Sequence, residues 1–191
     1  KLHPIEPTMN DPVTFTGERL HEEDALFGLD LTRHLAAYQA AIRIARENDC
    51  ERFLELGSGT GYGTRILAFE IAPLFAIDRV APLKANRVPG AHYLRADLEA
   101  LPITGLPFDV IASFQVIEHL TDPSVYLDAI ARLLADKGTA LITTPNAAFS
   151  DGENPFHVHE YEAAELEALL RTRFAHVEML GVSALGGALE Y

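Results

Sequence analysis

The stretch Phe53-Leu-Glu-Leu-Gly-Ser-Gly-Thr-Gly-Tyr-Gly63 decides how the chain is read. Apolar Phe53, Leu54 and Leu56 surround one carboxylate, Glu55, and give way at once to alternating glycines. That change predicts a strand, a tight turn and the first turn of a helix, because glycine tolerates positive φ and close approach to its backbone. Such a turn suits a ligand. The dinucleotide fingerprint G-x-G-x-x-G fails in both registers, with Tyr62 or Thr64 at the third glycine, and the lysine of a P-loop is missing. What stands is Glu55-x-Gly57-x-Gly59-x-Gly61. An acid ahead of the glycines would repel a pyrophosphate but suits the ammonium of an amino-acid-bearing nucleoside, reached directly or through water.

Outward from this turn the chain alternates strand and helix. Upstream, Leu31, Leu35, Tyr38, Ile42 and Ala45 recur at helical spacing from Asp30, after a lead-in over 1–29 broken by Pro4, Pro7 and Pro12. His34 and Tyr38 lie one turn apart on that helix and are candidates to line an acceptor pocket. Downstream, the pattern predicts strands over 51–56, 74–77, 92–96, 108–114, 139–143 and 174–182, with helices over 62–70, 124–135 and 163–172. Asp122 and Pro123 read as the N-cap and first position of the second of these helices. Repeated units of this length imply an α/β, doubly wound, Rossmann-like sheet, mostly parallel, with helices on both faces. A lead-in and cap helix over 1–48 and a core over 49–191 form one domain on this reading. Ligands in such sheets bind beyond the carboxyl ends of the strands, where Glu55–Gly61, Asp78, Asp97 and Phe114–His119 all fall.

Composition narrows the classes. The 191 residues, 48% hydrophobic and 23% charged, match a single globular domain with a sizeable core. A formal charge of −13 argues against a nucleic-acid or anionic-lipid partner. The lone Cys50 cannot form an internal disulfide, and no signal-peptide pattern or long apolar run is present, so a cytoplasmic setting without membrane spanning is expected. The oligomeric state is not legible.

Motif by motif, the sequence resembles the class I S-adenosylmethionine-dependent methyltransferases. Glu55-x-Gly57-x-Gly59-x-Gly61 is similar to their first motif, which implies that Glu55, Gly57, Ser58, Gly59 and Gly61 cradle the cofactor. Asp78, closing the second strand, stands where a carboxylate accepts from both ribose hydroxyls. Arg95-Ala-Asp97-Leu98 resembles the family position that meets the adenine amino group, with Leu98 beside the base. Phe108-Asp-Val-Ile-Ala-Ser-Phe-Gln-Val-Ile-Glu-His-Leu120 resembles the motif of a branch that includes ubiquinone-pathway O-methyltransferases, bacterial small-molecule enzymes and small-RNA 2′-O-methyltransferases. There the Phe114 position offers its carbonyl to the methionine ammonium. Leu133-Leu-Ala-Asp-Lys-Gly-Thr-Ala-Leu-Ile-Thr-Thr-Pro-Asn146 looks like the fifth strand and its exit. The family closes its sheet with an antiparallel hairpin, and this chain reaches Tyr191 barely past the first arm.

Some relatives carry Glu-x-x-Glu-His and bind a divalent metal through it. Here Gln115 replaces the first glutamate, so a metal is not expected, and the residues that would hold one are Glu118, His119 and His157. Asn154-Pro-Phe-His157-Val-His159-Glu160-Tyr161 brings two more imidazoles toward the same pocket, both on one side if the segment is extended. Methyl transfer to an alcohol needs a base, and His119 with Glu118, or His157, has the required chemistry; His159 is a candidate acceptor contact. The expected reaction is O-methylation of a small hydroxylated molecule. Similarity over 157–166 and in the lead-in is to bacterial enzymes associated with sugars. A nicotinamide oxidoreductase, a non-catalytic cofactor-binding module and an RNA 2′-O-methyltransferase remain alternatives, the last disfavoured by the acidic balance.

Overall fold

The structure, a computed structural model, describes residues 27–80, 82, 84–105, 107–182 and 188–190. Residues 1–26 of the lead-in lie outside the described residues. The first helix, α1, runs Phe27–Glu47 and so begins three residues before the expected Asp30. Then follow β1 (Phe53–Leu56), α2 (Tyr62–Leu67), β2 (Leu74–Asp78), β3 (Ala91–Arg95), β4 (Phe108–Phe114), α3 (Pro123–Leu133), β5 (Leu134–Thr143) and α4 (Ala163–Arg171). A short ribbon closes the chain, β6 (Leu180–Val182) antiparallel to β7 (Ala188–Glu190).

The five main strands are all parallel, in the order β3-β2-β1-β4-β5. The chain winds outward from β1 to β3, then returns to the other side of β1 with β4. The order therefore reverses between β1 and β4, which opens a crevice above their carboxyl ends. Neither strand end is free to wander, since Leu56 pairs with Ile77 on one side and Ser113 on the other.

Strand alternation sorts side chains into two layers. Leu54, Leu56 and Ile111 face α3 and α4, packing with Tyr126, Leu127, Ile130 and Leu166. Phe53, Val110, Ala112 and Phe114 face α1 and α2, where Ala37, Tyr38, Ala41 and Ala45 form the buried stripe of α1. Alanines on that stripe bring α1 close to the sheet, while Leu31, Leu35 and Ile42 are only half-buried. Asp122 caps α3 as its sequence predicts, accepting from the Ser124 amide at 3.0 Å ahead of Pro123.

Two boundaries differ most from the sequence reading. β5 starts at Leu134 instead of Thr139, because a register shift between Phe108 and Val110 lets the 134–138 segment join the ladder early. The last expected strand, 174–182, shrinks to Leu180–Val182. Its antiparallel partner is β7, and among the described residues this pair stands apart from the main sheet. No described helix is long and apolar enough to cross a membrane.

Candidate active site

The β1–α2 turn is built as its glycines require. Gly57, Gly59 and Gly61 adopt φ of 80°, 52° and 86°, a region side chains rarely enter. Gly57 and Ser58 donate their amides to the Ile77 carbonyl, at 2.8 and 3.2 Å, which ties the turn to the end of β2. A side chain at Gly59 would meet nothing within 4 Å, so open space lies above the turn.

Asp78 stands across that space. It is buried, and its carboxylate accepts from Gly59 N at 2.7 Å and Val80 N at 3.0 Å. Asp97 is exposed and caps the short helical turn 98–100, accepting from Glu99 N at 3.0 Å. Leu98 approaches Gly57, its Cδ1 lying 3.9 Å from where a Cβ there would stand. Phe114 ends β4 under the same crevice, and the chain breaks away through Gln115 at φ 55°. Glycine turn, Asp78, Leu98 and Phe114 thus converge at the switch point.

Glu55 sits elsewhere than expected. Alternation along β1 sends it, like Phe53, into the α1/α2 layer, where it is 2% exposed. It accepts from the Tyr38 hydroxyl at 2.9 Å and from Thr64 Oγ1. Burial pushes its carboxyl up to about 7. In this arrangement it braces the turn from beneath. Tyr38 is likewise inside, 4% exposed, with its hydroxyl spent on Glu55. His34 belongs to the same wall, its Nδ1 2.6 Å from the Tyr62 hydroxyl.

Beyond Gln115, Glu118 and His119 occupy a helical turn over 117–119. Glu118 is fully buried; Oε2 accepts from Thr144 Oγ1 at 3.0 Å, and Oε1 is buried without a partner. Burial raises its carboxyl to about 7 as well. The segment 154–161 folds over it, Val158 N and His159 N donating to the Glu118 carbonyl at 2.7 and 3.2 Å. This brings one carboxylate oxygen of Glu118 and one nitrogen each of His119 and His157 within 4.8 Å of one another. The two rings meet edge to face with centroids 5.0 Å apart.

The histidines differ in their hydrogen bonds. His119 Nδ1 lies 3.0 Å from the Phe156 carbonyl, which can only accept, so Nδ1 carries a proton and the lone pair of the neutral ring is on Nε2. His157 directs Nδ1 at Glu160 Oε1, 2.5 Å away, and takes the Asn154 amide on Nε2 at 2.9 Å. Both of its nitrogens are engaged. His159 turns away from this cluster, despite the expectation that it shares a side with His157. Its Nε2 lies 2.8 Å from Glu165, and its ring abuts Tyr161 in a cleft of about 300 Å³ that Leu120 and Pro123 also line.

Sequence reasoning missed Thr64, Asn154 and Glu160. Thr64 follows the last glycine of the turn, and Asn154 and Glu160 bracket His157 at three residues on either side, a spacing that predicts contact only if the loop curls back.

The three weak metal candidates do come together, but they do not fit a hard cation. Two imidazoles and one carboxylate form a donor set poor in oxygen, His157 is already bonded on both nitrogens, and Gln115 donates its amide to Thr143 Oγ1 at 3.2 Å.

Comparison with known proteins gives this geometry its family. A methyltransferase-domain family profile matches residues 27–190. A probable S-adenosylmethionine-dependent methyltransferase of Mycobacterium tuberculosis is 35% identical over 180 residues, covering 89% of this chain and 64% of its own length. The chain thus spans a little under two thirds of that relative. The ubiquinone biosynthesis O-methyltransferase of Xylella fastidiosa is 33% identical over 151 residues, covering 66% of this chain and 61% of that protein. Among solved structures, the plantazolicin methyltransferase BpumL, in complex with SAH and a desmethylPZN analog, shares the fold with a TM-score of 0.64 at 18% identity, over 82% of this chain and 70% of that one. Matched along most of its length and built on a parallel sheet with a glycine turn at the switch point, the chain belongs to the class I S-adenosylmethionine-dependent methyltransferases.

Proposed function

We propose that this chain transfers the methyl group of S-adenosylmethionine to a hydroxyl oxygen of a small acceptor, with a sugar-type alcohol as the first class to test. The observation that carries this reading is the cluster of Glu118, His119 and His157, set at the exit of β4 beside the crevice above the glycine turn. On this reading Gly57, Ser58, Gly59 and Gly61 cradle the cofactor, and Asp78 holds its ribose. Asp97 and Leu98 meet the adenine, and the Phe114 carbonyl takes the methionine ammonium. Residues 1–48 then serve as lead-in and cap helix to a core over 49–191, with Tyr38 of α1 reaching into that core supporting their treatment as one unit.

The chemistry asks little beyond position and proton removal. The acceptor oxygen attacks the methyl carbon in line with the carbon–sulfur bond, a C–O bond forms, and the C–S electron pair passes to sulfur to leave S-adenosylhomocysteine. The hydroxyl proton goes to His119 Nε2, the nitrogen that bears the lone pair in the tautomer the Phe156 carbonyl selects. Glu118, buried behind the ring, stabilises the imidazolium as it forms when its carboxyl is ionised. The test is incubation with S-adenosylmethionine and a panel of monosaccharides, polyols and phenols, with mass spectrometry and NMR of the products. An O-methyl product with stoichiometric S-adenosylhomocysteine is expected. Exclusive N- or C-methylation across an extended panel would overturn the hydroxyl assignment.

A further inference from the structure

A phenol hydroxyl from outside the strand–turn–helix unit reaches its most buried carboxylate. Tyr38, on α1, donates to Glu55 Oε1 at 2.9 Å, and Thr64 donates to Oε2 from the other side. Both donors are neutral, and no Lys, Arg or His is among the groups that shift the carboxyl. Each oxygen of Glu55 therefore depends on one hydroxyl. The path to it runs over Gly63. A Cβ at that position would stand 1.9 Å from the Tyr38 hydroxyl oxygen and 2.0 Å from Cζ, so only glycine lets the ring pass. The ring is then held on two sides, edge to face with Phe114 at 5.0 Å and with Tyr62 at 5.8 Å. Phe114 ends β4 and Tyr62 opens α2, so one side chain of α1 touches both banks of the switch-point crevice.

We propose that Tyr38 is a positioning residue for the cofactor site: its hydroxyl, admitted by Gly63, fixes Glu55 and through it the Gly57–Gly61 turn. This rests on the reading that the turn holds the cofactor. Glu55 leads into the turn through Leu56, and Thr64 follows it, so a carboxylate bonded to Thr64 and Tyr38 locks the two ends of the turn and α1 into one frame. Loss of the Tyr38 hydroxyl leaves a buried carboxylate oxygen unbonded and removes the tie between α1 and the carboxylate that leads into the turn.

Calorimetric titration with S-adenosylhomocysteine across pH tests this on the wild type, Tyr38→Phe, Gly63→Ala, Glu55→Gln, the Tyr38→Phe/Glu55→Gln double variant and Asp78→Ala. Tyr38→Phe, which keeps the ring, is expected to weaken binding about tenfold at pH 7, with unfolding temperature tracked alongside. The pH at which affinity falls should move upward, since a lost donor disfavours the carboxylate; the titratable groups around Glu55 are Tyr38, Tyr62, Asp78 and Tyr93, with His34 behind Tyr62. The double variant should lose less than the sum of the single losses. A purely structural tyrosine would lower the unfolding temperature, add its loss to that of Glu55→Gln and leave the pH midpoint in place, which overturns the proposal. So does wild-type affinity in Tyr38→Phe. Gly63→Ala, which displaces the same hydroxyl without deleting it, is expected to repeat the loss and serves if Tyr38→Phe does not fold; wild-type affinity there is equally fatal. Undiminished binding in Asp78→Ala sinks the underlying cofactor-site reading instead.

Discussion

The Nδ1 atom of His119 lies 3.0 Å from the backbone oxygen of Phe156. A carbonyl cannot donate, so this one contact assigns the tautomer and gives the ring its basic face at Nε2. Phe156 is held in turn by its own amide, which donates to Asn154 Oδ1 at 3.0 Å.

Replacing His119 by Ala should lower kcat by about 10² to 10³ and leave affinity for S-adenosylhomocysteine within a factor of two to three, roughly, of the wild type. Steady-state kinetics paired with calorimetry reads both. A large loss of cofactor affinity with normal turnover would remove His119 from the base role.

His157 and Glu160 should behave as a pair. Glu160→Gln removes the carboxylate on Nδ1, a carboxyl whose pKa is held below the ordinary carboxylate range by its hydrogen bonds from Ser150 and His157. The expected result is a loss of turnover of only about tenfold, with His157→Ala similar and the double variant no worse than either, as for one positional unit. If His157→Ala alone matched the loss of His119→Ala, His157 would regain the base assignment.

Glu55 makes stability depend on pH. Its ordinary value of 4.5 is raised to about 7 by burial, with the nearby Asp78 charge adding and the Thr64 and Tyr38 hydrogen bonds opposing. The folded protein therefore holds a proton that the unfolded chain releases. This contribution is complete below pH 4.5 and is lost as pH rises through about 7, amounting to on the order of 3 kcal/mol. Thermal melts from pH 5 to 8 should show the unfolding temperature of the wild type falling more steeply than that of Glu55→Gln. Glu118, shifted in the same direction, accounts for part of the slope that remains. Parallel curves for the two proteins would contradict the assignment to Glu55.

Chelation should not matter. Dialysis against EDTA is expected to leave kcat within error, because the donor set around Glu118 lacks the oxygens of a hard-cation site and His157, bonded on both nitrogens, is not available to complete the two-histidine, one-carboxylate set that zinc takes. Gln115→Glu, adding a carboxylate to the same exit of β4, should raise affinity for Mn²⁺ or Zn²⁺ by about tenfold or more in calorimetry, provided the side chain leaves Thr143. Activity lost on chelation and restored by a divalent ion would reverse this conclusion.

How much of this was legible in the chain depends on the range of the interaction. β4, Phe108–Phe114, and the α3 cap at Asp122 are local facts: an apolar run and an Asp-Pro pair specify them without help. The glycine turn and Asp78 follow from strand ends and a known topology. What periodicity could not supply was which face of β1 carries Glu55, since that depends on where α1 packs; a carboxylate read as suiting an ammonium, directly or through water, bonds the Tyr38 hydroxyl. The same holds for His157 and His159. Alternation would place them together, but the loop curls, and Asn154 and Glu160 claim one while Glu165 claims the other. β5 began early for a related reason, as a ladder shift set by its neighbour leaves no mark in its own composition.

Because β1 and β4 are bonded neighbours, the carbon donor and the proton acceptor are proposed to be carried by turns that leave adjacent strands of one sheet. The strands are spaced by their backbone hydrogen bonds, but Ile117 and Leu120, on either side of Glu118 and His119, are buried in the same layer as α3. A hollowed core under α3 should therefore make the protein easier to melt and also loosen the base over the methyl group, so tolerance to heat and speed of reaction should fall together among variants of that layer.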